Sequence, residues 1–231
     1  MKQPVIAVIL AAGKGSRMGG EIPKQYMDLA GRPVLAHTLA AFDHAPSIDA
    51  LVIAAADAAY VRERILIPYP VNKPVSFVQG GRERQDSVWN AIRSLKNCEI
   101  VVIHDGVRPL ITVEVIEQSI AAARLYGACA VGMPCKDTVK EADEKAFSLR
   151  TPDRSRMWTI QTPQAFQLGL LKTAHEKAVK DGYLGTDDSS LVERLGHPAK
   201  LIEGGYDNIK ITTQEDLELA AIYLRHRGGI I

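Results

Sequence analysis

Apolar positions in this chain fall into short unbroken runs, separated by longer stretches in which they recur at helical spacing. Val5–Leu10, Ala50–Ala54, Val75–Gln79, Ile100–His104 and Ala128–Gly132 predict strands buried on both faces. Between them, Val34–Phe42, Ala58–Ile65, Gln85–Leu95 and Val113–Leu125 predict helices. The alternation predicts an α/β, Rossmann-like fold: a mostly parallel sheet flanked by helices. Ligands of such sheets bind beyond the carboxyl ends of the strands. Two segments, "LAAGKG" and "VIHDGVRP", leave predicted strands there and point into one crevice.

The rhythm breaks over residues 136–161, "KDTVKEADEKAFSLRTPDRSRMWTIQ". Two short alternating pieces flank a charged turn, which predicts a two-stranded excursion with poorly covered apolar residues. It reads either as a projecting β-arm for dimerisation or as a solvated hairpin. Helices near Gly169–Lys180 and Asp187–Leu195 follow, then a short strand at "AKLIE" and a last helix in "TTQEDLELAAIYL". The Thr212-x-x-Glu215 spacing fits a capping box there. The chain, 1–231, reads as one domain with the arm inside it.

Composition narrows the partners. Hydrophobic residues make up 46% and charged residues 24%, enough apolar surface for a core without disulfide staples. A formal net charge of +1 argues against nucleic acid, whose phosphate lattice selects a basic surface. Cys98, Cys129 and Cys135 have no CxxC spacing and read as reduced residues of a cytoplasmic protein. The histidines show no metal-ligand spacing. "VIAVILAA" imitates the apolar core of a signal peptide but is short and runs straight into a glycine-rich loop, so it reads as a buried strand, with a secretory signal as the alternative. No apolar run approaches membrane-spanning length.

The candidate chemistry begins in "LAAGKGSRMGGEIPKQY", Leu10 to Tyr26. A dinucleotide fingerprint would use Gly13 and Gly15 but finds Met18 at its third glycine, and a Walker A loop fails because Glu21 follows Gly20. What remains is a looser phosphate cradle, in which backbone N–H groups approach a phosphate chain while Lys14, Arg17 and Lys24 bring charge. Asp105 closes a run of apolar residues, where a carboxylate needs a partner. That partner is either Mg²⁺ on a nucleotide phosphate or a structural contact, an N-cap or an ion pair with Arg108. In "QGGRERQDSV", Gly80 and Gly81 permit close backbone approach and Ser87 offers a hydroxyl, either for a ligand or for a helix cap.

Taken in order, "LAAGKGSRMGGEIPKQY", "GGRERQDSV", "HDGVRP", "KDTVK", "WTIQTPQAF", "GTDDSSLVE" and "NIKITTQEDL" resemble the 2-C-methyl-D-erythritol 4-phosphate cytidylyltransferase family. The likeness runs from Val5 to about Leu219. Ribitol-5-phosphate cytidylyltransferases are close relatives and give the alternative acceptor. The resemblance implies transfer of the cytidylyl group of CTP to a polyol phosphate, with Mg²⁺, in non-mevalonate isoprenoid synthesis. It implies that Arg17 and Lys24 stabilise the transition state, and that Arg154 and Lys210 position the acceptor phosphate. Ala11, Ala12, Gly13, Lys14, Gly15, Gly80, Gly81, Ser87 and Asp105 are expected at CTP, with Asp105 also on the metal. Arg108, Thr138 and Thr186 are expected at the acceptor. The family is a homodimer whose arm, here carrying Thr138 and Arg154, reaches the neighbouring site. Read without the resemblance, Thr138 and Arg154 are plain hairpin surface, Thr186 is a helix N-cap, and Lys210 is a solvated cation.

Overall fold

The computed structural model describes residues 3–13 and 22–228. In chain order the elements are β1 (Val5–Ala11), β2 (Asp28–Leu29), β3 (Arg32–Pro33), α1 (Val34–His44), β4 (Ala50–Ala55) and α2 (Ala58–Val61). Then come β5 (Val75–Gln79), α3 (Arg84–Ser94), β6 (Ile100–Asp105), α4 (Val113–Tyr126) and β7 (Ala128–Pro134). The chain continues through β8 (Glu141–Ala142), β9 (Ser148–Arg150), β10 (Trp158–Gln167), α5 (Leu168–Asp181), α6 (Asp188–Glu193), β11 (Lys200–Glu203) and α7 (Gln214–His226).

Seven strands form the central sheet in the order β11-β7-β10-β6-β1-β4-β5. The pairs β1–β4, β1–β6, β4–β5 and β7–β11 are parallel, and only β10 runs antiparallel, between β6 and β7. The period of two along each strand sends alternate side chains to opposite faces. Val5, Ala7 and Ile9 meet Leu35, Leu39 and Phe42 of α1 and Ile116 and Ile120 of α4 on one face. Val8, Val101 and Ile103 meet Val88 and Ile92 of α3, Leu171 of α5 and Leu191 of α6 on the other. Each such fully buried Ile or Leu contributes on the order of 1.5–3 kcal/mol relative to exposure. A third cluster seats α7 through Leu217, Ala220 and Leu224 against Leu29, Val34 and Leu110.

The predicted strands and helices of the sheet are present, β10 and the short β2–β3 pair are additional to them, and three expectations differ. The helix expected over Ala58–Ile65 is α-helical only to Val61 and continues as a π-turn over Arg62–Leu66. The arm is shorter than 136–161: its paired strands are β8 and β9, whereas Trp158–Gln161 already belong to β10, with Trp158 opposite Pro134 and Ile160 opposite Gly132. The capping box of the last helix sits one residue later than Thr212–Glu215. Thr213 Oγ1 accepts from the Asp216 N–H (3.4 Å), and Asp216 Oδ2 accepts from the Thr213 N–H (2.9 Å).

Candidate active site

The carboxyl ends of β1, β5 and β6 and the first turn of α3 enclose a cleft of about 840 Å³. Its floor is backbone: Ala11, Ala12 and Gly13 leave β1, and Gly80 and Gly81 leave β5. Gly80 is bound to the neighbouring strand through its N–H, which donates to Ala55 O (2.9 Å). A Cβ on Gly80 would overlap the Ala12 side chain, so the two strand ends approach each other only because this position is glycine. Gly81 donates to Ser87 Oγ (3.0 Å), and the Ser87 hydroxyl donates to Glu83 O (3.2 Å). Ser87 therefore lines the cleft while also bracing the first turn of α3.

Lys24 reaches the same cleft from a 3₁₀ turn, Lys24–Tyr26. The turn is fixed by Gln25, which is only 3% exposed; its Nε2 donates to Ala11 O (2.8 Å) and Gly13 O (3.0 Å). A buried amide thus ties the lysine's turn to the end of β1. Lys14, Gly15 and Arg17 lie outside the described residues.

A second cleft of about 420 Å³ adjoins the first and includes Arg108, Thr162, Thr186 and Ser190. Arg84, Asp105 and Lys210 line both and form the wall between them. In that wall Asp105 Oδ2 is 2.8 Å from Lys210 Nζ and 3.9 Å from Arg108 Nε, while Oδ1 accepts from Arg84 Nε at 3.2 Å. Arg84 turns its Nη1 to Asp188 Oδ2 (2.7 Å), and Asp188 Oδ1 meets His175 Nε2 (3.2 Å). Burial alone would raise the Asp105 carboxyl, but Arg84, Lys210 and Arg108 outweigh it and hold the group far below the usual carboxylate range. Asp188 is likewise opposed by burial and pulled down by Arg84 and His175. Burial lowers Arg84, yet Asp188 and Asp105 more than offset this and raise it above the ordinary guanidinium value.

His104, in the same motif as Asp105, is fully buried and held by Thr162 Oγ1 at Nδ1 (3.1 Å) and Arg108 O at Nε2 (3.1 Å). Thr162 Oγ1 also accepts from the Asp105 N–H (3.1 Å). Burial pushes the imidazole down to about 3, so it stays neutral and supplies geometry rather than a proton.

Asp105 ends β6 as the sequence predicts, and its partners are the three cations, including the expected Arg108. Among the described residues no group of three or more His, Cys, Asp or Glu is arranged around a metal position. With a single carboxylate, already bound by Arg84 through Oδ1 and Lys210 through Oδ2, the donor set does not fit an all-protein cage and would fit Mg²⁺ only as an ion carried mainly by a nucleotide's phosphates. Thr186 lines the smaller cleft but is not the helix cap; Asp187 Oδ1 takes that role by accepting from the Ser190 N–H (2.9 Å). Lys210 is ion-paired rather than merely solvated. Thr138 and Arg154 line neither cleft, and Arg154 Nη1 instead donates to Lys136 O (2.9 Å) at the root of the arm.

Four positioning groups escape a reading of motifs one at a time: Gln25, Arg84, Gln164 and Asp188. Gln164, 1% exposed on β10, accepts through Oε1 from the N–H groups of Asp188 (3.1 Å) and Ser189 (3.2 Å) and so fastens α6 to the sheet. The available signal was that all four lie inside the quoted stretches "LAAGKGSRMGGEIPKQY", "GGRERQDSV", "WTIQTPQAF" and "GTDDSSLVE".

The chain is 51% identical over 224 residues to the 2-C-methyl-D-erythritol 4-phosphate cytidylyltransferase of Caldanaerobacter subterraneus subsp. tengcongensis, covering 96% of this chain and 99% of that protein. Its fold is similar to the crystal structure of 4-diphosphocytidyl-2C-methyl-D-erythritol synthase from Anaerococcus prevotii, with a TM-score of 0.85, 34% identity, and coverage of 96% and 99% of the two chains. The 2-C-methyl-D-erythritol 4-phosphate cytidylyltransferase of Thermus thermophilus is similar at a TM-score of 0.77 and 32% identity, covering 97% and 100%. Residues 5–226 match a single family description, and the chain belongs to the 2-C-methyl-D-erythritol 4-phosphate cytidylyltransferase family.

Proposed function

We propose that this chain transfers the cytidylyl group of CTP to the phosphate of 2-C-methyl-D-erythritol 4-phosphate, giving 4-diphosphocytidyl-2-C-methyl-D-erythritol and pyrophosphate for isoprenoid precursor synthesis. The observation that carries the reading is the pair of clefts joined along Arg84, Asp105 and Lys210. One has the glycine-lined backbone suited to a nucleotide, and the other has Arg108, Thr162 and Thr186 suited to a small hydroxylated phosphate. Family membership favours methylerythritol phosphate over ribitol 5-phosphate as the acceptor.

An acceptor phosphate oxygen forms the new bond to the α-phosphorus, the α–β bridge breaks, and its electron pair leaves on pyrophosphate. The attacking oxygen is already ionised and needs no general base, in keeping with a neutral His104 whose ring nitrogens are both occupied. The barrier is the approach of two polyanions and the charge that builds at phosphorus. Fixed cations aimed at that charge are the usual remedy, each worth on the order of 3 kcal/mol. Lys24 and Arg17 take this role on the triphosphate, while Lys210 and Arg108 hold the acceptor phosphate. Ala11, Ala12, Gly13, Gly80, Gly81 and Ser87 bind CTP through backbone and hydroxyl, with Lys14 and Gly15 continuing the cradle. Asp105 would hold Mg²⁺, which when bound supplies charge neutralisation on the phosphate chain.

The arm completes a neighbouring copy in this reading. Phe147 and Leu149 on it are 69% and 63% exposed, and Thr138 and Arg154 lie away from this chain's own clefts, which supports a homodimer with arms exchanged. A cytoplasmic setting is supported by the free, buried thiols of Cys98 and Cys129. Among the described residues no helix is long and apolar enough to cross a membrane.

Purified protein supplied with CTP, Mg²⁺ and each acceptor in turn, with pyrophosphate release followed, tests the assignment. Turnover with methylerythritol phosphate is expected. Turnover confined to ribitol 5-phosphate, or a preference for ATP or UTP, overturns it.

A further inference from the structure

Arg84 is the member of the shared wall that the cytidylyl-transfer chemistry leaves without a task. It stands at the first residue of α3, a position where cations are disfavoured by the helix dipole. It nevertheless bridges two carboxylates from distant parts of the chain: Asp105 at the end of β6 and Asp188 at the start of α6. Asp188 is 1% exposed and is itself fixed twice, by His175 through its carboxylate and by Gln164 through its N–H. His175 is fully buried, with its ring stacked on Trp89 of α3 at 6.0 Å. The guanidinium is thereby anchored on its far side to a rigid frame of α3, α5, α6 and β10.

On its near side the same guanidinium binds Asp105 Oδ1, leaving Oδ2 for Lys210 Nζ at 2.8 Å. Lys210 lies on the loop before α7 and is a flexible point charge; what orients its ammonium here is Asp105. The order of dependence is therefore His175 and Gln164, then Asp188, then Arg84, then Asp105, then Lys210.

We propose that Arg84 is a positioning residue for cytidylyl transfer: it transmits the fixed placement of α6 to the Asp105 carboxylate and so sets Lys210 at the junction of the two clefts. The planar fork is essential to this task, because two carboxylates lie on different edges of one guanidinium. An ammonium keeps the charge but cannot hold both at fixed angles. This inference rests on the proposed reaction, and the test separates the two.

Arg84→Lys, Asp188→Asn, Lys210→Ala and the double variant Arg84→Lys/Lys210→Ala would be assayed for turnover beside the wild type. Thermal midpoints and CTP affinity by calorimetry would be measured on the same preparations. Arg84→Lys should lower kcat at least about tenfold with CTP affinity changed less than about threefold, since the positive charge is kept while the fixed placement of Asp105 and Lys210 is lost. Asp188→Asn, which leaves the guanidinium in place, should give a smaller loss in the same direction and carries the test if Arg84→Lys does not fold. In the Lys210→Ala background, Arg84→Lys should cost less than about threefold, because residues acting through one another are not additive. Full additivity, or a loss confined to melting temperature and CTP affinity, overturns the positioning role and leaves Arg84 a structural ion pair. An active wild type with an unimpaired Arg84→Lys sinks this inference alone. A wild type without cytidylyl transfer brings down the functional reading and this inference together.

Discussion

Gly80 and Ala12 come so close across the ends of β5 and β1 that a single added methyl on Gly80 would occupy the space of the Ala12 side chain. Gly80→Ala is therefore expected to push the two strand ends apart where the nucleotide cleft has its floor. Overpacking of this kind costs about 1–3 kcal/mol. We predict a KM for CTP raised tenfold or more, with the acceptor KM nearly unchanged. An unaltered CTP KM in steady-state kinetics would show that the floor is not where CTP lies.

Lys24 and Lys210 face the larger cleft from opposite ends of the sequence. Removal of a preorganised charge at a developing oxyanion typically costs on the order of a hundredfold in rate. Lys24→Ala, and Arg17→Ala with it, should lower kcat by at least that factor while the circular dichroism spectrum is retained. Near-normal turnover by either purified variant refutes the assigned roles.

Gln25 holds the lysine's turn to β1 by donating to Ala11 O and Gly13 O. Gln25→Leu keeps the volume and leaves the Ala11 carbonyl buried without its donor, at a cost of about 1–3 kcal/mol. The expected result is a lower melting temperature together with weaker CTP binding. A drop in melting temperature with CTP binding intact would show that the tie serves the fold alone.

If arms are exchanged between copies, two defective chains can complement each other. Lys24→Ala damages the body of a site, whereas Arg154→Ala damages only the arm offered to the neighbour. Equal mixing by co-expression should give half mixed dimers, each with one intact site, and so about a quarter of wild-type activity. Recovery no greater than the sum of the separate variants would mean that Arg154 does not act across subunits.

The thiols give a pH-dependent check on burial. Burial pushes Cys129 up to about 12 and Cys98 to about 11, the latter despite partial relief from a backbone hydrogen bond. Both are raised, so their reactive thiolate forms only as pH climbs toward those values and is nearly absent at pH 8. Native protein should react with about one equivalent of a thiol reagent, at the half-buried Cys135, and with about three after unfolding. Fast labelling of all three in the native state would contradict the packing around β6 and β7.

The buried parallel strands were legible because their unbroken apolar runs have no other use in a chain this size. β10 was not, because it buries polar side chains: Gln161, Thr162 and Gln164 are all below a tenth exposed, so this buried strand has no unbroken apolar run to announce it. Their partners come from Asn208, His104 and the start of α6, far along the chain. Arg84 was obscure for the same reason, since its carboxylates stand 21 and 104 residues away. The last capping box was misplaced by one residue because "TTQED" offers two threonines and two acids at the same spacing. Local pattern reveals what is satisfied locally; charges and amides satisfied across the fold stay hidden until the chain is folded.

The wall common to both clefts also limits how the catalyst can be redesigned. A substitution at Asp105 or Lys210 is felt by donor and acceptor alike, so neither affinity can be tuned there in isolation. Ile160, Ser190 and Glu193 border the smaller cleft only. A library aimed at accepting a different sugar phosphate, with CTP use preserved, belongs at those three positions.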